Sequence, residues 1–144
     1  MIKAIIFDWG RTLYDSEQGK IFPETMQVID ELSKKYQLAL VSLATQGNIE
    51  ERHLLLKQER LESYFVSILF AQTGKDHLYV LTLTTLGLQS EEVVIVDDRI
   101  KRGKRNGATT IWVRRGKFMN ELPGDETEKP TYTITTLQDM YHIL

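Results

Sequence analysis

Four places in the chain carry side chains that could do chemistry together. Asp8 follows the apolar run "KAIIF", Ser42 ends "QLALVS", Lys75 follows Gly74, and Asp97 with Asp98 closes "VVIVDD". They offer a carboxylate nucleophile, a hydroxyl donor, a cation and a carboxylate pair. That set suits phosphoryl transfer to an aspartate, where Lys and Mg²⁺ offset the repulsion between the attacking carboxylate and an anionic phosphoryl group. Each residue alone has an ordinary structural explanation: a strand-end Asp forms a turn or a helix cap, a Ser bonds its own loop, and a Lys is solvated. Their order, each at or near the end of an apolar run, points to one shared site.

The elements that must position them are read from the spacing of apolar residues. Short β-branched runs predict strands over 3–7, 37–42, 66–70, 93–98 and 109–113, and the nearly all-apolar ones suit strands covered on both faces. Amphipathic segments between them predict helices over 23–36, 49–65 and 75–88, the first opened by Pro23 with lysines in its last turn and the third stopped near Gly87. Residues 101–108 make at best a short helix interrupted by Gly103 and Gly107; 120–130 reads as a surface loop or flap, and 136–144 as a closing helix. The alternation implies an α/β fold: a Rossmann-like three-layer α/β/α sandwich with a mainly parallel sheet, forming one domain over 1–144. In such sheets ligands bind beyond the carboxyl ends of the strands, where Asp8, Ser42, Asp97 and Asp98 fall.

Composition narrows the class. The chain is 42% hydrophobic and 26% charged, with net charge −2 and no cysteine. The mildly acidic balance argues against a general nucleic-acid binder, and the absence of cysteine rules out disulfides and thiolate metal sites. No stretch reaches the roughly 18 apolar residues of a membrane span. A soluble cytoplasmic protein with no membrane partner is the expectation.

The ordered set resembles the haloacid dehalogenase (HAD) superfamily. "FDWGRTL" resembles its first motif, "LVS" its second, "GK" before "DHLYVLTLTTLGLQSEEVVIVDD" its third and "VVIVDDR" its fourth. The resemblance implies Asp8 as nucleophile and Mg²⁺ ligand, the Gly10 carbonyl as a second ligand, and Asp98 as a ligand directly or through water. Asp97, often Gly in the family, would stand beside the metal or simply finish the strand. Ser42 would bond the phosphoryl oxygens, Lys75 would bridge them to Asp8, and Thr12 would steady the loop. The expected substrate is a phosphorylated small molecule or macromolecule.

The chain departs from the family pattern twice. Its phosphatases usually place an Asp two residues after the nucleophile, to protonate the leaving alcohol and then activate water; here Gly10 stands there. A positioned acid or base typically contributes about 10²–10⁴-fold in rate, so a slow enzyme is expected. The further acid usual in the fourth motif is also missing, since Arg102 and Gly103 occupy its place. "DWGRT" also looks like the "DWAGT" of phosphonoacetaldehyde hydrolases, but those rely on a cap domain. Only 34 residues separate Asp8 from Ser42 and 33 separate Ser42 from Lys75, which leaves no room for one. Dehalogenase or phosphonatase chemistry therefore ranks below phosphate chemistry, and an inactive binding or scaffolding domain is the main alternative.

Without a cap, water exclusion falls to the substrate, to a neighbouring subunit in a homo-oligomer, or to the 117–130 loop. Arg11, Arg99 and Trp9 are candidate substrate contacts, packing against the adjacent loop being the alternative for Trp9. The basic clusters 99–105 and 114–117 read as a solvated rim or as a receiver of anionic substrate. Asp15 or Glu17 could swing in for the missing acid, and His53, His77 and His142 read as surface or helix-end residues.

Overall fold

A computed structural model of the chain describes residues 1–45, 48–100 and 107–144. Its elements run β1 (Ala4–Phe7), a hairpin of β2 (Tyr14–Asp15) and β3 (Lys20–Ile21), α1 (Thr25–Ser33), β4 (Gln37–Leu43), α2 (Ile49–Gln58), β5 (Phe65–Ala71), α3 (Asp76–Leu86), β6 (Val93–Asp97), β7 (Thr109–Val113) and β8 (Tyr132–Ile134). Six strands form one sheet in the order β5-β4-β1-β6-β7-β8, every neighbouring pair parallel. β2 and β3 form a separate antiparallel pair.

The two-residue period of a strand sorts the apolar residues into two cores. Ile5, Phe7, Leu38, Leu40, Val94 and Val96 face one side, against Val28, Ile29 and Leu32 of α1 and Leu56 of α2. Ala4, Ile6, Ala39, Val41, Val93 and Ile95 face the other, against Leu78 and Tyr79 of α3. The three layers and the parallel sheet are therefore as the sequence predicts. Among the described residues, a hairpin and α1 lie between β1 and β4, and α2 with a short 3₁₀ turn between β4 and β5, so neither interval holds a cap domain.

The differences from expectation lie at element ends. The helix expected over 49–65 stops at Gln58 in a Schellman turn: Arg60 N–H bonds Lys57 O at 3.1 Å and Leu61 N–H bonds Leu56 O at 2.9 Å, with Leu61 and Leu56 both buried. A 3₁₀ turn occupies Glu62–Tyr64 just beyond it. α3 ends in the same way on Gly87, whose φ of 68° is open to glycine, whereas α2 uses Arg60 at φ 60°. Arg60→Gly is therefore expected to stabilise the protein by about 1 kcal/mol, seen as a higher urea midpoint at unchanged slope. No gain would mean that the Arg60 side chain compensates for its backbone.

α1 is shorter than 23–36: Lys34 and Lys35 lie past its end, and Glu24 at its start turns its carboxylate to Arg115. The segment 136–144 forms a 3₁₀ helix over Leu137–His142, opened by a capping box of Thr136 and Asp139. The 120–130 stretch carries a single 3₁₀ turn at Glu126–Glu128. The hairpin and β8 are additions, and the short helix considered over 101–108 falls largely outside the described residues.

Candidate active site

The strand register brings the chemistry together. Phe7 pairs with Leu40 on one side and Val96 on the other, and Asp8 N–H continues the ladder to Val96 O at 2.9 Å. Asp8 thus emerges beside Asp97, with Ser42 at the same sheet edge. Lys75, the residue that opens α3, reaches back into the same space.

All five chemical side chains are buried: Asp8, Ser42, Lys75, Asp97 and Asp98 each expose 7% or less. Ser42 Oγ donates to Asp8 Oδ1 at 2.8 Å, and Lys75 Nζ donates to the same oxygen at 3.2 Å. Lys75 also bonds Asp97 Oδ2, whose other oxygen accepts the Arg99 N–H at 2.9 Å. Together with Gly10, Arg11, Arg52, Arg99 and Phe118 they line a cleft of about 370 Å³.

Burial and Coulomb forces oppose each other here. Burial pushes the Asp8 carboxyl up, but the Lys75 charge and its hydrogen bonds outweigh this, so Asp8 stays ionised below the usual carboxylate range. Asp97 is raised by burial and by Asp8, against the pull of Lys75. Asp98 has no such cation: burial, then the charges of Asp8 and Asp97, push it up to about 10. Lys75 resists the discharge that burial favours, because Asp8 and Asp97 both hold its proton.

This donor set fits a hard divalent cation. Ligand oxygens of Asp8, Asp97 and Asp98 lie within 4.8 Å of one another, and Asp98 Oδ2 is buried with no hydrogen-bond partner. A cation there would supply the charge that the cluster lacks. The sign of the Asp98 shift sets a pH dependence. Its carboxyl holds a proton in the fold and loses it on unfolding, so metal-free stability falls as pH rises from about 4 towards 10. Asp98→Asn is expected to raise the metal-free Tm by about 5 °C at pH 8, less at pH 5, and to remove the stabilisation by Mg²⁺ that is expected of the wild type. A lower metal-free Tm, or an undiminished Mg²⁺ shift, contradicts this.

Placement of the remaining candidates is mixed. Arg11 and Arg99 line the cleft, as does Gly10. Trp9 is a correction: it is 1% exposed, belongs to the α1-side core and stacks on Tyr14 with centroids 5.2 Å apart, so it offers substrate no surface. The cause is the turn after β1, in which Trp9 O accepts the amides of Leu13 and Tyr14 and carries the ring under the hairpin. Thr12 is buried, and its carbonyl anchors Arg115 at 2.7 Å. Arg115 also pairs with Glu24 at 2.5 Å and lies over the Phe22 ring, so it braces the fold from within, whereas Arg114, bonded to Met119 O, and Lys117 are exposed at the rim. Of 99–105, only Arg99 and Ile100 are described. Arg102 and Gly103 lie outside the described residues.

Asp15 cannot easily stand in for the missing acid, because its Oδ1 accepts the amides of Glu17 and Gln18 in the hairpin turn. Neither acid lines the cleft, and nor does any of the three histidines; His53 instead packs edge-on to Phe70.

Sequence reasoning missed four residues. Arg52, in the first turn of α2, lines the cleft. Glu121 folds back from the 120–130 stretch, accepting from Arg99 Nε at 2.8 Å and Ile100 N at 2.7 Å. Tyr79 places its hydroxyl 3.4 Å from Asp97 Oδ2, and Trp112 Nε1 donates to Asp98 O at 2.9 Å, bracing the turn from β7. The helical spacing of Lys75 and Tyr79 was a readable signal. Nothing local marked Glu121.

In fold the chain is similar to HAD-like hydrolases. Residues 73–140, just under half of it, match a family model described as HAD-hydrolase-like. A glyceraldehyde 3-phosphate phosphatase of Methanocaldococcus jannaschii is 28% identical over 132 residues, an alignment covering 85% of this chain and 56% of that protein. The chain thus spans little more than half the length of this relative. Among solved structures, the L-2-haloacid dehalogenase RSc1362 superposes with a TM-score of 0.82 at 14% identity, covering 99% of this chain and 98% of that one. The magnesium-bound HAD-hydrolase YfnB of Bacillus subtilis gives 0.72 at 22% identity, over 89% of this chain and 58% of that one. Among the described residues, no helix is long and apolar enough to cross a membrane.

Proposed function

We propose that the chain cleaves phosphate monoesters through Asp8, with Mg²⁺ held by Asp8, Asp98 and the Gly10 carbonyl, and that it does so slowly. The observation that carries this reading is the convergence of Ser42 Oγ and Lys75 Nζ on one oxygen of an ionised, buried Asp8. The phosphatase relative supports a phosphate ester as substrate.

Each residue has its own share of the chemistry. The Asp8 carboxylate attacks phosphorus, an O–P bond forms, and the ester P–O bond breaks. Ser42 and Lys75 turn their donors from Asp8 to the phosphoryl oxygens as charge moves there. Asp97 keeps Lys75 charged and in place. Bound Mg²⁺ would neutralise the phosphoryl charge that faces the carboxylates. Water then attacks the aspartyl phosphate, releasing phosphate and restoring Asp8. No carboxylate stands at position 10 to protonate the leaving oxygen, so leaving groups that are stable as anions should react best.

The test is phosphate release from an aryl and an alkyl phosphate with Mg²⁺, alongside trapping by beryllofluoride. Mg²⁺-dependent release, faster with the aryl ester, supports the proposal; no release and no beryllofluoride binding would sink it. Gly10 favours a second reading, a binding domain on the same cleft. Trapping without turnover would select it.

A further inference from the structure

The cations around the cleft divide into two kinds. Lys75 is held by Asp8 and Asp97, and Arg99 by Glu121, its guanidinium also 3.9 Å above the Phe118 ring. The side chains of Arg11 and Arg52 have no hydrogen bond or ion pair among the described residues, and the Nε of each is buried without an acceptor. Both side chains are half-buried, and their outer guanidinium nitrogens, bonded to no protein acceptor among the described residues, are open to a ligand oxygen.

The position of Arg11 is built rather than incidental. Its backbone sits in the left-handed region at φ 62°, with its N–H bonded to Tyr14 O at 2.7 Å. Its aliphatic stem lies against Gly116, where an added Cβ would come within 3.3 Å of Arg11 Cδ, and its guanidinium is 5.4 Å from the Phe118 ring centre. Arg52 comes from α2, a separate wall of the cleft.

One phosphoryl group is already served by Ser42 and Lys75 at Asp8. The cleft volume of about 370 Å³ suits a small metabolite, larger than that group alone. We infer that the substrate carries a second anionic group, a carboxylate or another phosphate, and that Arg52 and Arg11 hold it. Fork-shaped guanidinium donors suit either oxyanion. This inference rests on the phosphoryl site proposed above and adds Arg52 as its specificity residue.

Non-hydrolysable ligands test it without turnover. Binding of methylphosphonate, phosphonoacetate and methylenebisphosphonate is measured by calorimetry at saturating Mg²⁺ for wild type, Arg52→Gln, Arg52→Lys and Arg11→Gln. At least one two-anion ligand is expected to bind about tenfold tighter than methylphosphonate, and which one identifies the second group. Arg52→Gln and Arg11→Gln should each erase most of that gain while leaving methylphosphonate affinity within about twofold, and Arg52→Lys should keep part of it. Equal affinity for all three ligands, with methylphosphonate still bound, overturns the second subsite and leaves the Asp8 reading standing. An equal loss for all three ligands in Arg52→Gln also overturns it, because Arg52 would then serve the transferred group itself.

Discussion

Asp8→Asn is expected to lower phosphate release by at least about 10⁴-fold while the protein stays folded. The size of the loss reflects the part assigned to Asp8: without a carboxylate no O–P bond forms, and the remaining groups have nothing to position. Folding is spared because Asn is close to Asp in shape and Lys75 keeps its bond to Asp97. Because Lys75 holds Asp8 ionised below the usual carboxylate range, loss of that charge should lower the metal-free Tm by only a few degrees, read by circular dichroism beside the assay. Residual turnover within tenfold of wild type would move the chemistry off Asp8.

The second large effect is a gain. Gly10→Asp should raise turnover by about 10²–10⁴-fold, because it restores a proton carrier two residues after the nucleophile. The backbone accepts it: Gly10 is not among the residues with positive φ, and a Cβ built there first meets Ser16 Oγ at 3.6 Å, an ordinary contact. The gain should be greatest for an alkyl phosphate, whose leaving oxygen needs the proton, and smallest for a nitrophenyl ester. Measuring kcat on both substrates separates this from a general change in binding. A rise equal for both esters, or none, would show that Gly10 is not what limits the rate.

Both expectations reach the same cleft from different sides, and so does the pH behaviour of Asp98. Asp8 is kept ionised by a cation that two carboxylates hold in place, while Asp98 is kept protonated for lack of one. A divalent ion would reverse the second condition and leave the first unchanged. Metal affinity should therefore increase with pH.

The apolar runs were legible because strands covered on both faces are nearly all apolar. Their ends placed Asp8, Ser42, Asp97 and Asp98 on one edge of the sheet. β8 was not legible: Tyr132–Ile134 is three residues long and half exposed, and it is a strand only because Val113 and its neighbours offer an edge. The hairpin of Tyr14–Asp15 with Lys20–Ile21 is shorter still. Its closure turned Trp9 inward and fixed Asp15 in a turn, two outcomes that residue type alone could not decide.

The sequence by itself determined the parallel α/β architecture and the meeting of Asp8, Ser42, Asp97 and Asp98 at one sheet edge, because both depend on local periodicity and on the residue types at the end of each strand. Tertiary structure alone decided which charges are free. Lys75 is divided between Asp8 and Asp97, Arg99 is claimed by Glu121 from 22 residues away and Arg115 by Glu24 from 91, while Arg11 and Arg52 keep unpaired donors at the cleft. A charge is spent or free according to its neighbours within a few ångströms, and those neighbours come from distant parts of the chain.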